Sequence, residues 1–323
     1  MKKKNVVVIG GGVLGSQIAF QSAYCGFNTT ILIREEDPIE DLKKKLKELH
    51  KTYVKTIELM AKEGKSSSNW ARGLTVGDKI NKRKSIKKAD EALKNIVIET
   101  MQAKALYNAD YVIESVTENF DIKKSLYEQI SDYLPDHAIL VTNSSTLLPS
   151  KLAKYTGRPD KFLTLHFANS IWKNNITEIM GHSGTDEAIF DEVIKFAEEI
   201  QMIPLPVREE KSGYLLNSML VPFLLCAMDL LANGVSDVES IDKAWTLGTG
   251  APKGPFQILD TVGLITAREI VIQYQKVPNI LDPLFKKMML PYNYDGMLRI
   301  LNEYIEAGKL GKSAGEGFYK YEK

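Results

Sequence analysis

The feature that most constrains this chain lies at its start. Val6-Val7-Val8-Ile9 is an apolar, mostly β-branched run that reads as a short buried strand. Gly10, Gly12 and Gly15 follow it at G-x-G-x-x-G spacing, with Val13 and Leu14 between the last two. Ser16 to Tyr24 then places Ile18, Ala19, Phe20 and Ala23 on one helical face, and Gly26 stops it. Strand, glycine turn and helix in that order are the context in which the motif carries a mechanism. Gly10 permits the tight turn, Gly12 lets a pyrophosphate approach the backbone, and Gly15 lets the helix pack close to the strand. The helix N-terminus offers unpaired N–H groups and partial positive charge to phosphate. A dinucleotide site over Gly10, Gly12, Val13, Leu14 and Gly15 is the expectation.

The second strand, read as Thr29 to Ile33, should end in the acidic residue that holds an adenosine ribose. Counting on from Gly15, that position is Ile33, and Arg34 follows. An arginine there pairs with a 2′-phosphate, so the cofactor is left open between NAD and NADP. Glu35 or Glu36 takes the acidic role if the turn is one residue longer.

Asp37-Pro38-Ile39-Glu40 reads as a helix start with Asp37 as the cap and proline at the first position. Ile39, Leu42, Leu46, Leu49, Tyr53, Ile57 and Met60 then recur at helical steps to Gly64. This long amphipathic helix is an insertion, and its Lys43, Lys44, Lys45 and Lys47 form either a solvated face or a grip on an anionic handle. Further on, helices near 85–95, 102–107 and 121–134 alternate with strands near 96–98, 111–116 and 138–142. Strands follow at Phe162–Phe167 and Ile176–Met180, then a helix over 186–200 and a strand at Ile203–Val207. That alternation predicts a Rossmann-type, doubly wound, mainly parallel α/β sheet with a helical insertion over residues 1–207. From 208 to 323 strand-like alternation stops, and a smaller all-α domain for substrate and dimerisation is expected. Its longest helix is read over Tyr214 to Leu231, with Pro222 kinking or bounding it.

Candidate chemistry gathers at predicted strand ends. Glu114, Ser115, Thr117, Glu118 and Asn119 follow one strand; Asn143, Ser144, Ser145 and Thr146 follow the next, where small polar residues also serve as helix caps. His166 ends a strand, and Glu178 interrupts the apolar strand beyond the next turn. A carboxylate there needs a partner, and a His–carboxylate pair moves protons near neutral pH. The same pair could equally be a buried structural contact. His50, His137 and His182 read as surface residues, and no metal-ligand spacing appears. Net charge is +1, which argues against a nucleic-acid partner. No signal peptide or membrane-spanning run is read, and Cys25 and Cys226, both in apolar helical patterns, read as buried thiols in a reducing, cytoplasmic setting.

The assembled pieces resemble the L-3-hydroxyacyl-CoA dehydrogenases, including bacterial 3-hydroxybutyryl-CoA dehydrogenases, over nearly the full length. The residues that carry the resemblance are the Gly10–Gly15 turn, the run from Tyr111 to Asn119, Asn143-Ser144-Ser145-Thr146 and His166-Phe167-Ala168-Asn169. Glu178, Ser212 to Asn217, Gly254 to Asp260 and the C-terminal Gly308 to Tyr319 continue it in order. The resemblance implies that His166 is the general base and Glu178 its partner, with Ser145 and Asn217 hydrogen-bonding substrate oxygen. It implies cofactor contacts at Glu118 and Lys123, a site asparagine at Asn169, and Asn143 beside the nucleotide, where Arg34 already stands by its place after the second strand. It further implies NAD by default, a short-chain acyl-CoA substrate, fatty-acid metabolism and a homodimer formed by the helical domain. Three positions depart from the family: Ser170 stands where proline is usual, Ile33 replaces the acidic ribose contact, and Ser218 replaces an arginine. The altered segment Ala168 to Trp172 keeps a free hydroxy-acid or sugar-acid dehydrogenase, such as L-gulonate 3-dehydrogenase, in view. A non-catalytic nucleotide-binding dimer is the rival from outside enzymes.

Overall fold

The computed structural model describes residues 4–275 and 292–321. These form two units, divided after Leu215.

The first unit is built on an eight-stranded sheet: β1 (Asn5–Ile9), β2 (Asn28–Leu32), β3 (Val97–Glu99), β4 (Tyr111–Glu114), β5 (Ile139–Thr142), β6 (Phe162–Phe167), β7 (Ile176–Met180) and β8 (Ile203–Val207). Their order is β3-β2-β1-β4-β5-β6-β7-β8. All neighbours pair parallel except β6 and β7, which pair antiparallel. The chain winds outward from β1 to β3, then returns to start again at β4 beside β1. That reversal opens a crevice at the carboxyl ends of β1 and β4, where ligands sit in sheets of this kind. The helices are α1 (Val13–Tyr24), α2 (Ile39–Glu63), α3 (Lys82–Asn95), α4 (Gln102–Leu106), α5 (Phe120–Ile130), α6 (Pro149–Leu152) and α7 (Glu187–Glu199).

The strand period of two sorts the core. Val6 and Val8 pack with Ile18, Phe20, Tyr53, Ala89 and Phe196 on one face. Val7 and Ile9 pack with Leu106, Tyr127, Ile130 and Phe162 on the other. Both faces are covered, as a parallel sheet requires, and each such side chain contributes about 1.5–3 kcal/mol by leaving water.

Helix α2 carries the expected apolar seam and ends at Gly64, whose φ is 75°. Its start differs from expectation. Pro38 is the cap residue and Asp37 caps nothing, because the Asp37 carboxylate is held by the Arg34 guanidinium at 2.6 Å.

The second unit is helical: α8 (Leu216–Ala232), α9 (Val238–Thr249), α10 (Pro255–Val262), α11 (Leu264–Gln275) and α12 (Tyr294–Glu306). Its core holds Leu224, Met228, Phe256, Leu259, Leu264, Met297 and Leu301. Buried Asp260 accepts from the Phe318 and Tyr319 amides and the Tyr321 hydroxyl, which ties down the C-terminal segment. Pro222 neither bounds nor divides α8, which runs through it. Cys226 corrects a second expectation: it is exposed, as α8 buries Leu225, Ala227 and Met228 around it. Cys25 is a free, half-buried thiol, and burial pushes its sulfur up to about 12. The part of the C-terminal helical expectation over 276–291 lies outside the described residues.

Candidate active site

The glycine turn comes first. Gly10 has φ +109°, and a Cβ there would meet the Ser115 carbonyl oxygen at 2.5 Å. At Gly15 a Cβ would come within 2.1 Å of the Gly10 oxygen. Packing therefore dictates these two. Gly12 is different: a Cβ there would meet no protein atom within 4 Å. It caps α1 with no side chain on the helix's first N–H groups. An open glycine over an uncapped helix start fits a phosphate-bearing cofactor. Around it runs a cleft of about 850 Å³ lined by Gly10, Gly11, Gly12, Ile33, Arg34, Glu35, Asp37, Ser115 and Thr117, among others. Val13 is exposed beside it.

Arg34 is at the rim but not unengaged. Its guanidinium pairs with Asp37 at 2.6 Å and Glu36 at 3.2 Å, and the bond from Arg34 holds the Asp37 carboxyl below its usual range.

A charged cluster lies beneath the β4 and β5 ends. Glu114, fully buried, accepts from Lys123 Nζ at 2.6 Å, the Tyr127 hydroxyl at 2.6 Å and the Thr142 hydroxyl at 2.7 Å. Lys123 is itself buried, with Glu118 as a second carboxylate at 3.6 Å. One Glu118 oxygen accepts from the Ser144 and Thr146 hydroxyls and from the amides of Ser145 and Thr146. Burial alone would raise this carboxyl, but the Ser144 bond and the Lys123 charge outweigh it and hold it below the ordinary value. Glu118 thus clamps the loop that carries half-buried Ser145. Asn143 braces the strand ends: its oxygen accepts from the Phe167 amide at 3.0 Å and its amide donates to Ser115 at 3.3 Å.

The imidazole and carboxylate come together. The β6–β7 register places His166 directly opposite Glu178, so the two share a sheet face. His166 Nδ1 lies 2.9 Å from Glu178 Oε2, and both residues are buried. A carboxylate only accepts, so Nδ1 donates this bond, and in the neutral ring Nε2 is the nitrogen that can take a proton. The other Glu178 oxygen accepts from the Leu215 amide at 2.8 Å.

The turn after His166 explains the missing proline. Ser170 has φ 59°, and its N–H donates to Gln17 Oε1 at 2.8 Å. Proline can supply neither that φ nor that proton. Asn169 is exposed, with its carbonyl accepting from Asn174. Asn217 belongs to the other unit, half-buried in the first turn of α8.

Some contributors were not singled out from sequence. In the sequence Lys45 is one of four lysines on a basic face that is either solvated or grips an anion; in the structure its Nζ donates to the Gly11 carbonyl at 2.7 Å. Gln17 and Tyr214 carried no local signal, since each acts on a segment distant in the chain. Among the described residues no three His, Cys, Asp or Glu side chains gather as a metal site.

A glycine-turn crevice with a buried histidine–carboxylate pair at a neighbouring strand end is the arrangement of a nicotinamide-dependent dehydrogenase. The family model described as 3-hydroxyacyl-CoA dehydrogenase, NAD binding domain, matches residues 5–210, and that of the C-terminal domain matches 213–321. The chain belongs to the 3-hydroxyacyl-CoA dehydrogenase family. Human mitochondrial hydroxyacyl-coenzyme A dehydrogenase is 30% identical, over 98% of this chain and 91% of that protein. The 3-hydroxybutyryl-CoA dehydrogenase of Mycobacterium tuberculosis is 29% identical, over 98% of each. The solved structure of a diketoreductase with dual catalysis of dicarbonyl compounds is 41% identical, covers 99% of this chain and 100% of that one, and has a TM-score of 0.81. No described helix is long and apolar enough to cross a membrane.

Proposed function

We propose that the protein interconverts a 3-hydroxyacyl and a 3-ketoacyl group, carried as a short-chain CoA thioester. The buried cross-strand pair of His166 and Glu178 carries this reading. A bound nicotinamide supplies the hydride acceptor for C3. His166 Nε2 takes the 3-hydroxyl proton as the C3–H bond breaks, and returns it in reduction. Glu178 holds Nδ1–H and offsets the imidazolium charge. Ser145, on the loop clamped by Glu118, hydrogen-bonds the substrate oxygen, and Asn217 is assigned the same task from the family pattern. Gly10, Gly12 and Gly15 with the start of α1 hold the pyrophosphate, beside Glu118, Lys123, Asn143 and Asn169.

We read the cofactor as NAD. The stretch 34–37 sets one arginine against three carboxylates, and that arginine is already paired with two of them. A 2′-phosphate at this rim would meet net negative charge. For the helical unit we propose a homodimer face. It includes a cavity of about 440 Å³ lined by Phe223, Cys226, Leu230, Ile241 and Trp245, and Leu247 is exposed on α9. Two free cysteines suit a reducing compartment, the cytoplasm.

A second reading has specific support. The 41% identity to a diketoreductase favours a dicarbonyl substrate not carried on CoA. The test is to supply acetoacetyl-CoA and a free β-keto ester in parallel, each with NADH and NADPH, and follow nicotinamide absorbance. Turnover of the thioester with NADH is expected. Turnover of the ester alone selects the second reading, and no turnover of either refutes both.

A further inference from the structure

Tyr214 sits where a tyrosine is costly. Its φ is 50°, directly after Gly213 at 81°. A bulky residue held in that region costs about 1–3 kcal/mol and persists only where its surroundings over-determine it. Four contacts do so here. Its amide donates to the Lys211 carbonyl at 3.1 Å. Its hydroxyl donates to the Ser144 carbonyl at 2.7 Å. The amide of Leu215, which follows it, donates to Glu178 at 2.8 Å. Its ring lies flat against the His166 imidazole, with centroids 4.9 Å apart and planes 15° from parallel.

We propose that Tyr214 is a positioning residue for the base. Through it, one strained turn joins the imidazole, the carboxylate that orients it and the loop bearing Ser145. The proposal rests on the catalytic reading of His166 given above. The stacked ring blocks rotation of the imidazole out of its Nδ1–Glu178 bond and closes one of its faces to water. That π face also lies against the ring that becomes cationic when it takes a proton, an attraction that grows along the reaction. The hydroxyl transmits the placement to residues 144 and 145. Burial pushes the phenol well above its usual range, so the hydroxyl stays a donor throughout the working pH range. At 1% exposure Tyr214 offers no surface to substrate, so it acts through its neighbours.

The test uses Tyr214→Phe and Tyr214→Leu in the full chain, each also combined with Ser145→Ala and with His166→Gln, using whichever substrate the parallel assay identifies. Tyr214→Phe should lower kcat about 5- to 10-fold, the effect of one lost buried hydrogen bond. The KM for nucleotide should stay within about twofold, because only transition-state contacts are touched. That loss should shrink to within about twofold in the Ser145→Ala background, since coupled residues are not additive. Tyr214→Leu should cost about 100-fold, as a displaced catalytic group does, and almost nothing more in the His166→Gln background. Full kcat in both single variants, or losses that multiply independently in both backgrounds, overturns the proposal. Should Tyr214→Leu fail to fold, the Phe cycle decides alone. Wild-type turnover by His166→Gln is a separate result: it removes the catalytic reading, and the positioning role with it.

Discussion

Replacing Glu178 with glutamine removes one charge and almost no volume, which makes it the sharpest probe of the site. Both carboxylate oxygens accept from N–H groups: Oε2 from His166 Nδ1 at 2.9 Å and Oε1 from the Leu215 amide at 2.8 Å. A glutamine has one accepting oxygen and one donating NH2, so one bond must become a donor facing a donor. If the NH2 turns to His166, the imidazole flips tautomer. Nε2 then holds the proton it should receive. If the NH2 turns to Leu215, that amide loses its acceptor and the segment carrying Tyr214 loosens. In either orientation the imidazolium formed in turnover loses its counter-charge. At 2.9 Å and an effective dielectric of about 20 the pair is worth about 6 kcal/mol. Desolvation and the remaining amide dipole return part of that. About 3–5 kcal/mol is left, or about 10²–10⁴-fold in kcat. The assay is initial-rate oxidation or reduction followed by nicotinamide absorbance, with thermal unfolding as a check that the variant is folded. A folded Glu178→Gln protein within about threefold of wild-type kcat would refute the argument, since so small a loss leaves no room for tautomer control.

Two further outcomes follow from backbone geometry. Ser170→Pro should destabilise the first unit by about 3 kcal/mol or more in urea unfolding, because it loses the Gln17 bond and cannot take φ 59°. Ser170→Gly should be nearly neutral, and equal stability of the two variants would contradict the left-handed turn. Gly12→Ala should leave the melting temperature unchanged, as its Cβ meets nothing, yet weaken nucleotide binding about tenfold or more by titration; unchanged affinity would move the pyrophosphate elsewhere.

Much of the fold was legible because its signals are local. Strands β6, β7 and β8 have the limits read from the apolar runs, and α2 ends at its glycine. Readings failed where a competing partner intervened or where the local pattern gave no direction. Asp37 looks like a helix cap until Arg34 takes its carboxylate. Cys226 sits in an apolar run, yet it faces outward because an almost wholly apolar helix gives no periodic clue to its buried side. Pro222 reads as a kink or a boundary, and the boundary is ruled out because the helix runs through it.

The candidate site divides in the same way. Residue order by itself determined the glycine turn, the alternation that makes a doubly wound sheet, and the identity of a histidine and a carboxylate needing each other. Tertiary structure alone decided that an antiparallel register sets His166 opposite Glu178, that Lys123 is buried between two carboxylates, and that Tyr214 lies flat on the imidazole. Periodicity and caps are written within a few residues, so a linear reading reaches them. Register, burial of charge and stacking depend on segments far apart in the chain, and only their packing in three dimensions specifies them.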